Sequence, residues 1–430
     1  MYNGVKIQPV KGEPAVKRTL LASSVLALSM NCFAATVEVL HYWTSESESA
    51  ALNLLKQALA AKGDTWQDFT VKGGGGESAY SVLQTRMIAG NPPTAALMEG
   101  KFIQEWSALG FLSSPYTKEQ TETWDRVLPP LIRQITQYHG EYVAVPVNNH
   151  RINWLWINPK PFKALNQPIP TTWDEFFAVA DKLKAAGYIP LAHGGQAWQD
   201  ATLFENILLG LEGGQFYRDV FEKLDSKAIT SDRMIRVLQR FRQLHDDIDP
   251  KSAGRPWHES AELLYNGKAA MMIMGDWAKG ELMQMGAVPG KDFLCVATPG
   301  TEGYFIYGTD SFAILQQNGN STAVEAQRHL ADVLMDPDFQ RRFNQLKGSI
   351  PVRNDIDMST FDVCAQKAAR VFKAAEKSDR LLPSMAHSMA ADVQTKEVFF
   401  RVLNDFFTHP NQTPEQAVMQ LNTALMAVKG

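Results

Sequence analysis

Three tryptophans stand where large rings are seldom needed for packing. Trp43, Trp257 and Trp277 each fall beside a strand end or a turn and not inside an apolar helical stripe. An indole left at a strand end offers a flat apolar face that suits the C–H face of a sugar ring. Carboxylates, lysine and histidine supply charged hydrogen bonds, ~1.5–3 kcal/mol each, to its hydroxyls. Glu48, Asp276, Asp310, Lys347 and His387 lie in loops of this kind. The chemistry such a set implies is the binding of a polyhydroxylated ligand. Trp106, Trp173 and Trp198, by contrast, read as ordinary packing or helix-start residues.

Other chemistries find no template. The nine histidines are scattered, with no H-E-x-x-H and no C-x-x-C, so no metal and no cofactor is expected. No G-x-S-x-G elbow is present. "VKGGGGESAY" lacks the Gly-Lys-Ser/Thr ending of a phosphate loop and reads as a strand-to-helix connection whose backbone could approach a ligand. A glycosidase needs only two carboxylates and no signature, so that alternative stays open.

These residues need elements to hold them. Residues 1–35 read as a cleavable export leader: Lys17 and Arg18, the apolar run "TLLASSVLALSM", then the small residues Ala34 and Ala35. Cys32 leaves with it, so only Cys295 and Cys364 remain, either paired or free. The ~395 residues after it exceed one hydrophobic core and imply two domains. The formal net charge is −4, with acids and bases mixed along the chain, which argues against nucleic acid or anionic lipid as partners. No second apolar run approaches membrane length.

"TVEVLHYW" alternates as a strand, and "ESAALNLLKQALAAKG" continues at helical spacing. "TTWDEFFAVADKLKAAGY" opens on a capping box, Thr172 with Glu175, and "SDRMIRVLQRFRQLHDD" opens on Ser231. "TAALM", "YVAVP", "AAMMIM" and "FAILQ" read as short strands between helices. This alternation predicts an α/β fold with mainly parallel sheets. With no Pro/Gly/Ser-rich linker to separate the domains, the boundary is expected to be crossed by several segments around a closing cleft.

Several stretches carry a resemblance. "VPVNNHRINWLWINPKPFKALNQPIPTTWDEFFAVADKL" and "LYNGKAAMMIMGDW" resemble the family 1 extracellular solute-binding proteins of ABC importers. "HYWTSESE", "RPWHESAELL", "MGDWAKGE", "YGTDSFAIL", "LKGSIPVR" and "MAHSMA" resemble more closely the periplasmic glucose-type binding proteins. The resemblance implies a two-lobed periplasmic-binding-protein fold (type II-like), each lobe a sheet flanked by helices, hinged around a ligand cleft. It implies lobes of residues 36–147 with 310–352 and of residues 148–309 with 353–430. It further implies a periplasmic, monomeric receptor with no catalysis, which delivers glucose or a related aldohexose to an ABC permease. By matching motifs, the first lobe supplies Trp43 and Glu48, and Asp310 and Lys347 arrive on segments that recross the hinge. Asn148 and Arg151 lie in the hinge run, and the second lobe supplies Trp257, Asp276, Trp277 and His387.

Two departures stand out. Tyr42-Trp43 replaces a pair of tryptophans, and Glu99 replaces a lysine before glycine, which leaves Lys101 two places on as the basic contact. An acid at that position would invert the hydrogen bonding to the sugar. A secreted glycosidase and a sugar-sensing adaptor for a chemoreceptor are the alternatives. Trp43→Ala is expected to weaken sugar binding while leaving the stability of the ligand-free protein nearly unchanged.

Overall fold

The computed structural model describes residues 35–71, 77–317 and 319–429, with isolated positions at the N-terminus. Most of the expected leader and the glycine run at 73–76 therefore lie outside the described residues. Ala34–Gly430 form one compact unit, separate from Met1–Phe33.

The strands of the larger unit, in chain order, are β1 (Thr36–His41), β2 (Thr65–Thr70), β3 (Ala95–Glu99), β4 (Gln137–Tyr138), β5 (Glu141–Tyr142) and β6 (Ala144–Arg151). Next come β7 (Trp154–Ile157), β8 (Ile189–Ala192), β9 (Ala269–Ile273), β10 (Leu294–Ala297), β11 (Phe305–Ile314) and β12 (Leu381–Pro383). One sheet has the order β12-β11-β3-β1-β2, with β6 also paired to β11; a second has the order β10-β7-β9-β8, and β4 pairs with β5 alone.

Helices cover both faces of the first sheet. On β3, Ala95 and Leu97 pack into one apolar cluster while Ala96 and Met98 pack into another. That is why "AALM" reads as a continuous apolar run and not as an alternation. The second sheet has its own core around Trp154, Trp156, Phe204 and Met272. The predicted helices form with their caps: Thr172 and Glu175 close a capping box at Trp173–Ala185, and the Ser231 hydroxyl accepts from Met234 N at Asp232–Leu244.

The expectation of mainly parallel sheets is corrected. Among the described residues five strand pairings are antiparallel and four are parallel. The reason is the crossing. β6 leaves the first sheet and passes through Ile152 and Asn153 directly into β7 of the second, and β11 carries the chain back. Two strands that cross in opposite senses must pair antiparallel, and the returning β11 then opposes β3 as well. A third crossing runs after the helix Pro337–Lys347, where Ile350 bridges to Asn149.

Cys295 and Cys364 are joined by a disulfide, Cα to Cα 5.9 Å, that ties β10 to the helix Val363–Glu376. Among the described residues no helix is long and apolar enough to cross a membrane, and no group of three or more His, Cys, Asp or Glu side chains could hold a metal ion.

Candidate functional site

β1 ends at His41 and the chain turns through Tyr42–Ser45 into the helix Glu46–Ala61. Ser45 is the N-cap. Its hydroxyl accepts from Glu48 N (3.3 Å), while Glu48 Oε2 accepts from Thr44 N (2.9 Å) and Ser45 N (3.1 Å). This is a capping box, legible in S-E-S-E but read from sequence only as a sugar contact. Glu48 Oε1 takes Lys347 Nζ at 3.2 Å, and that ammonium lies 5.1 Å from the Trp43 ring. Lys347 ends its helix before Gly348, whose φ of +93° admits no ordinary side chain and where a Cβ would collide with the Asp276 carbonyl oxygen.

Trp43 is only 3% exposed and packs on Phe312 (5.8 Å) and Phe343 (5.7 Å). It is core as well as cavity wall. The expectation that Trp43→Ala spares stability is therefore corrected.

A cavity of about 430 Å³ lies between elements of the two sheets. Trp43, Glu48, Glu99, Asp310 and Lys347 line one side; Gln196, Trp198, Trp257, His258, Trp277 and His387 line the other, and His150 contributes from β6. Bonds beside it join the two halves. Ser47 N donates to Glu281 Oε2 (3.1 Å) in the helix Trp277–Gln284, and Lys101 N donates to the Ser388 carbonyl (2.8 Å).

His150 organises the charge. Its Nδ1–H donates to Asp276 Oδ1 and its Nε2–H to Asp310 Oδ2 at 3.0 Å. Burial alone would lower its pKa, but the two carboxylates override this and raise it to about 9. The imidazolium is thus a fixed cation between an aspartate after β9 and one on β11. Asp310 is held well below the usual carboxylate range: burial opposes this, and His150, Lys347 and Asn148 outweigh it. Asn148 Nδ2 donates to Asp310 Oδ2 (2.8 Å) and its Oδ1 accepts from Asp310 N (3.1 Å).

Glu99 stands directly opposite Asp310 in the β3–β11 register. Burial first, then that neighbouring carboxylate, pushes its pKa well up. A carboxyl whose proton is held to higher pH thus faces the cavity beside one that stays ionised to lower pH.

Of the eleven residues singled out from sequence, seven line the cavity: Trp43, Glu48, Trp257, Trp277, Asp310, Lys347 and His387. Four do not. Lys101 is exposed on the helix Gly100–Ala108, because Gly100 turns the chain at a φ of +47°. Asn148 positions Asp310. Asp276 is engaged by His150 and by Arg151 N (2.9 Å). Arg151 is buried with Nε on Asn153 Oδ1 (3.1 Å) and its guanidinium 4.1 Å from the Trp154 ring, and burial lowers its pKa to about 10. Glu99, His150, Gln196, Trp198 and His258 were not among the eleven, and Trp198, read as a packing residue, is cavity wall.

A family model described as bacterial extracellular solute-binding protein matches residues 44–328. A probable sugar-binding periplasmic protein of Rhizobium meliloti (strain 1021) is 39% identical over 411 residues, 96% of this chain and 98% of its own. One of the same description from Brucella suis biovar 1 (strain 1330) is 40% identical over 393 residues, 91% of this chain and 92% of its own. Among solved structures, a chitin oligosaccharide binding protein matches with a TM-score of 0.77 at 18% identity, covering 91% of this chain and 98% of its own. Maltose-bound T. maritima MalE3 matches with a TM-score of 0.75 at 16% identity, over 92% and 100%. At these identities the structural likeness is one of fold.

Proposed function

This chain belongs to the bacterial extracellular solute-binding proteins, and on that premise we propose that its cavity holds one monosaccharide, glucose or a related aldohexose, for delivery to a membrane permease. The protein is a periplasmic sugar-binding receptor of an ABC importer. What carries the finer reading is the wall of the cavity. Three indoles, Trp198, Trp257 and Trp277, face a charged side built from Asp310, Lys347 and Glu48. The volume of about 430 Å³ is at the low end for ligand sites, ~300–1,000 Å³, which favours a single ring over an oligosaccharide.

The lobes are proposed to divide at 148 and 310, with residues 353–430 joining the second. In support, Asn148 and Asp310 pair in the β6–β11 register, so the two crossings meet side by side. A sugar touching Asp310 on one side and Trp257 on the other favours the arrangement in which both contacts exist; a ligand touching one side alone shifts nothing. The closed rim is what a permease reads. A monomer suffices for this.

A thermal-shift screen of mono- and disaccharides tests the reading. One aldohexose raises the melting temperature saturably, and Trp257→Ala removes that shift; disaccharides alone giving it would contradict a single-ring site. A second reading, glycoside hydrolysis, rests on one observation: Glu99, its pKa raised by burial, stands beside Asp310, its pKa lowered, the kind of pairing of acid and carboxylate that hydrolases use. It requires release of new reducing ends from an oligosaccharide.

A further inference from the structure

Glu205 does not line the cavity described above. It is fully buried on the helix Ala197–Phe221, inside the second lobe. Its Oε2 accepts from Met385 N (2.8 Å) and lies 3.0 Å from the Tyr217 hydroxyl, whose single proton is shared with the Pro383 carbonyl oxygen (2.8 Å), and its Oε1 accepts from Ser384 Oγ (2.8 Å). Ser384 Oγ lies 3.0 Å from His387 Nδ1 and accepts from His387 N at 3.2 Å. His387 lines the cavity.

With Glu205 ionised, as it is at pH 8.5, counting hydrogens fixes the ring. A hydroxyl carries one proton and two lone pairs, and an ionised carboxylate only accepts. Ser384 therefore donates to Glu205, and its lone pairs take the two N–H groups of His387, backbone N–H and Nδ1–H. His387 must then carry its hydrogen on Nδ1, leaving Nε2 bare. Since Nδ1 is occupied by Ser384, Nε2 is the nitrogen left for a ligand.

We propose that Glu205 is a positioning residue that, through Ser384, makes His387 present a hydrogen-bond acceptor to the sugar, so that this subsite selects a donating hydroxyl. The proposal deepens the sugar-binding reading above and rests on it. Two further observations agree with it. Burial lowers the His387 pKa to about 3, assisted by the cations His150, Lys396 and Lys347 against the opposing Asp310, so the ring is neutral and its tautomer is what matters. Burial raises Glu205 to about 7 against the hydrogen bonds of Ser384, Met385, Tyr217 and Ala386, so at pH 8.5 it is ionised.

Glu205→Gln reverses the chain of bonds. Met385 N–H requires an acceptor, so the amide oxygen must face it and the amide NH₂ must face Ser384. Ser384 then donates to Nδ1, and the ring hydrogen moves to Nε2: one proton leaves Nδ1 for water and one arrives at Nε2, with the ring still neutral.

The test is imidazole ¹⁵N spectroscopy of the full, sugar-free protein at pH 8.5, with His387 assigned through His387→Gln. The native protein shows protonated Nδ1 and bare Nε2; E205Q shows the inverse, and binds the preferred sugar about two- to tenfold more weakly, the worth of one uncharged hydrogen bond. Ser384→Ala, which cuts the link by removing the hydroxyl between Glu205 and His387, leaves a mixture of tautomers. A bare Nδ1 in the native protein, one tautomer shared by native and E205Q, or Nδ1–H fully retained in Ser384→Ala overturns the proposal. Inverted tautomers with unchanged affinity overturn the selective role. The tautomer is read without ligand, so its failure is distinct from a failure to bind sugar, which titration of the native protein reports separately.

Discussion

Trp43 and Trp257 face one cavity with the same side chain, and they are anchored differently. Trp43 is packed on Phe312 and Phe343, with the Lys347–Glu48 pair beside it, and is 3% exposed. Trp257 begins the helix Trp257–Tyr265 half-buried, between Pro256 and His258, and both of these also border the cavity. The first wall is the edge of a core, so its shape is set before any ligand arrives. The second is a platform on a helix start, held by less. A ligand that joins the two contributes most where the protein itself contributes least.

That contrast can be broken by substitution. Trp43→Ala has the largest expected effect: a loss of about 3–5 kcal/mol of stability in the ligand-free protein by urea unfolding, because the core opens where the ring was. Less than ~1 kcal/mol would make Trp43 a platform like Trp257. Lys347→Met comes next. It leaves the Glu48 Oε1 without its 3.2 Å ion pair in a buried setting, which costs about 3 kcal/mol, at the low end for stranding a buried charge because the capping bonds to Glu48 remain.

His150 sharpens the comparison with pH. Its folded pKa of about 9 lies above the ~6.5 of an unfolded histidine. Its contribution is therefore complete below ~6.5 and is lost as the pH rises through about 9. The stability difference between the native protein and His150→Gln should shrink from pH 6 to pH 9.5, by on the order of 3 kcal/mol; a constant difference would mean that the ring is not a charged tie. Trp257→Ala closes the series, with less than ~1 kcal/mol of stability lost and sugar affinity reduced more than tenfold. An unfolding midpoint that falls as far as that of Trp43→Ala would erase the distinction.

What could be read from sequence divides in the same way. Caps such as Thr172 with Glu175 and Ser231 are local, and the structure keeps them. Trp257, Trp277, Asp310 and Lys347 were legible by residue type, but the loops expected for the charges are corrected: Asp310 lies on β11, and Glu48 and Lys347 lie on helices. Glu99 was legible as an acid in place of a base, but its pairing with Asp310, across more than two hundred residues of chain, was not. His150 sits within a fully buried strand, and only the convergence of Asp276 and Asp310 gives it a role. Trp198 starts the helix Ala197–Phe221 like a packing residue and becomes wall through the position of that helix. Mainly parallel sheets were expected because alternation of strand and helix says nothing of which strands recross.

The most direct measurement is calorimetric titration of the protein with D-glucose and other aldohexoses, with the sugar recovered afterwards and its mass checked. The account predicts saturable one-to-one binding of one aldohexose and recovery of that sugar intact. Absence of binding to every monosaccharide, or recovery of a cleaved product, would contradict it.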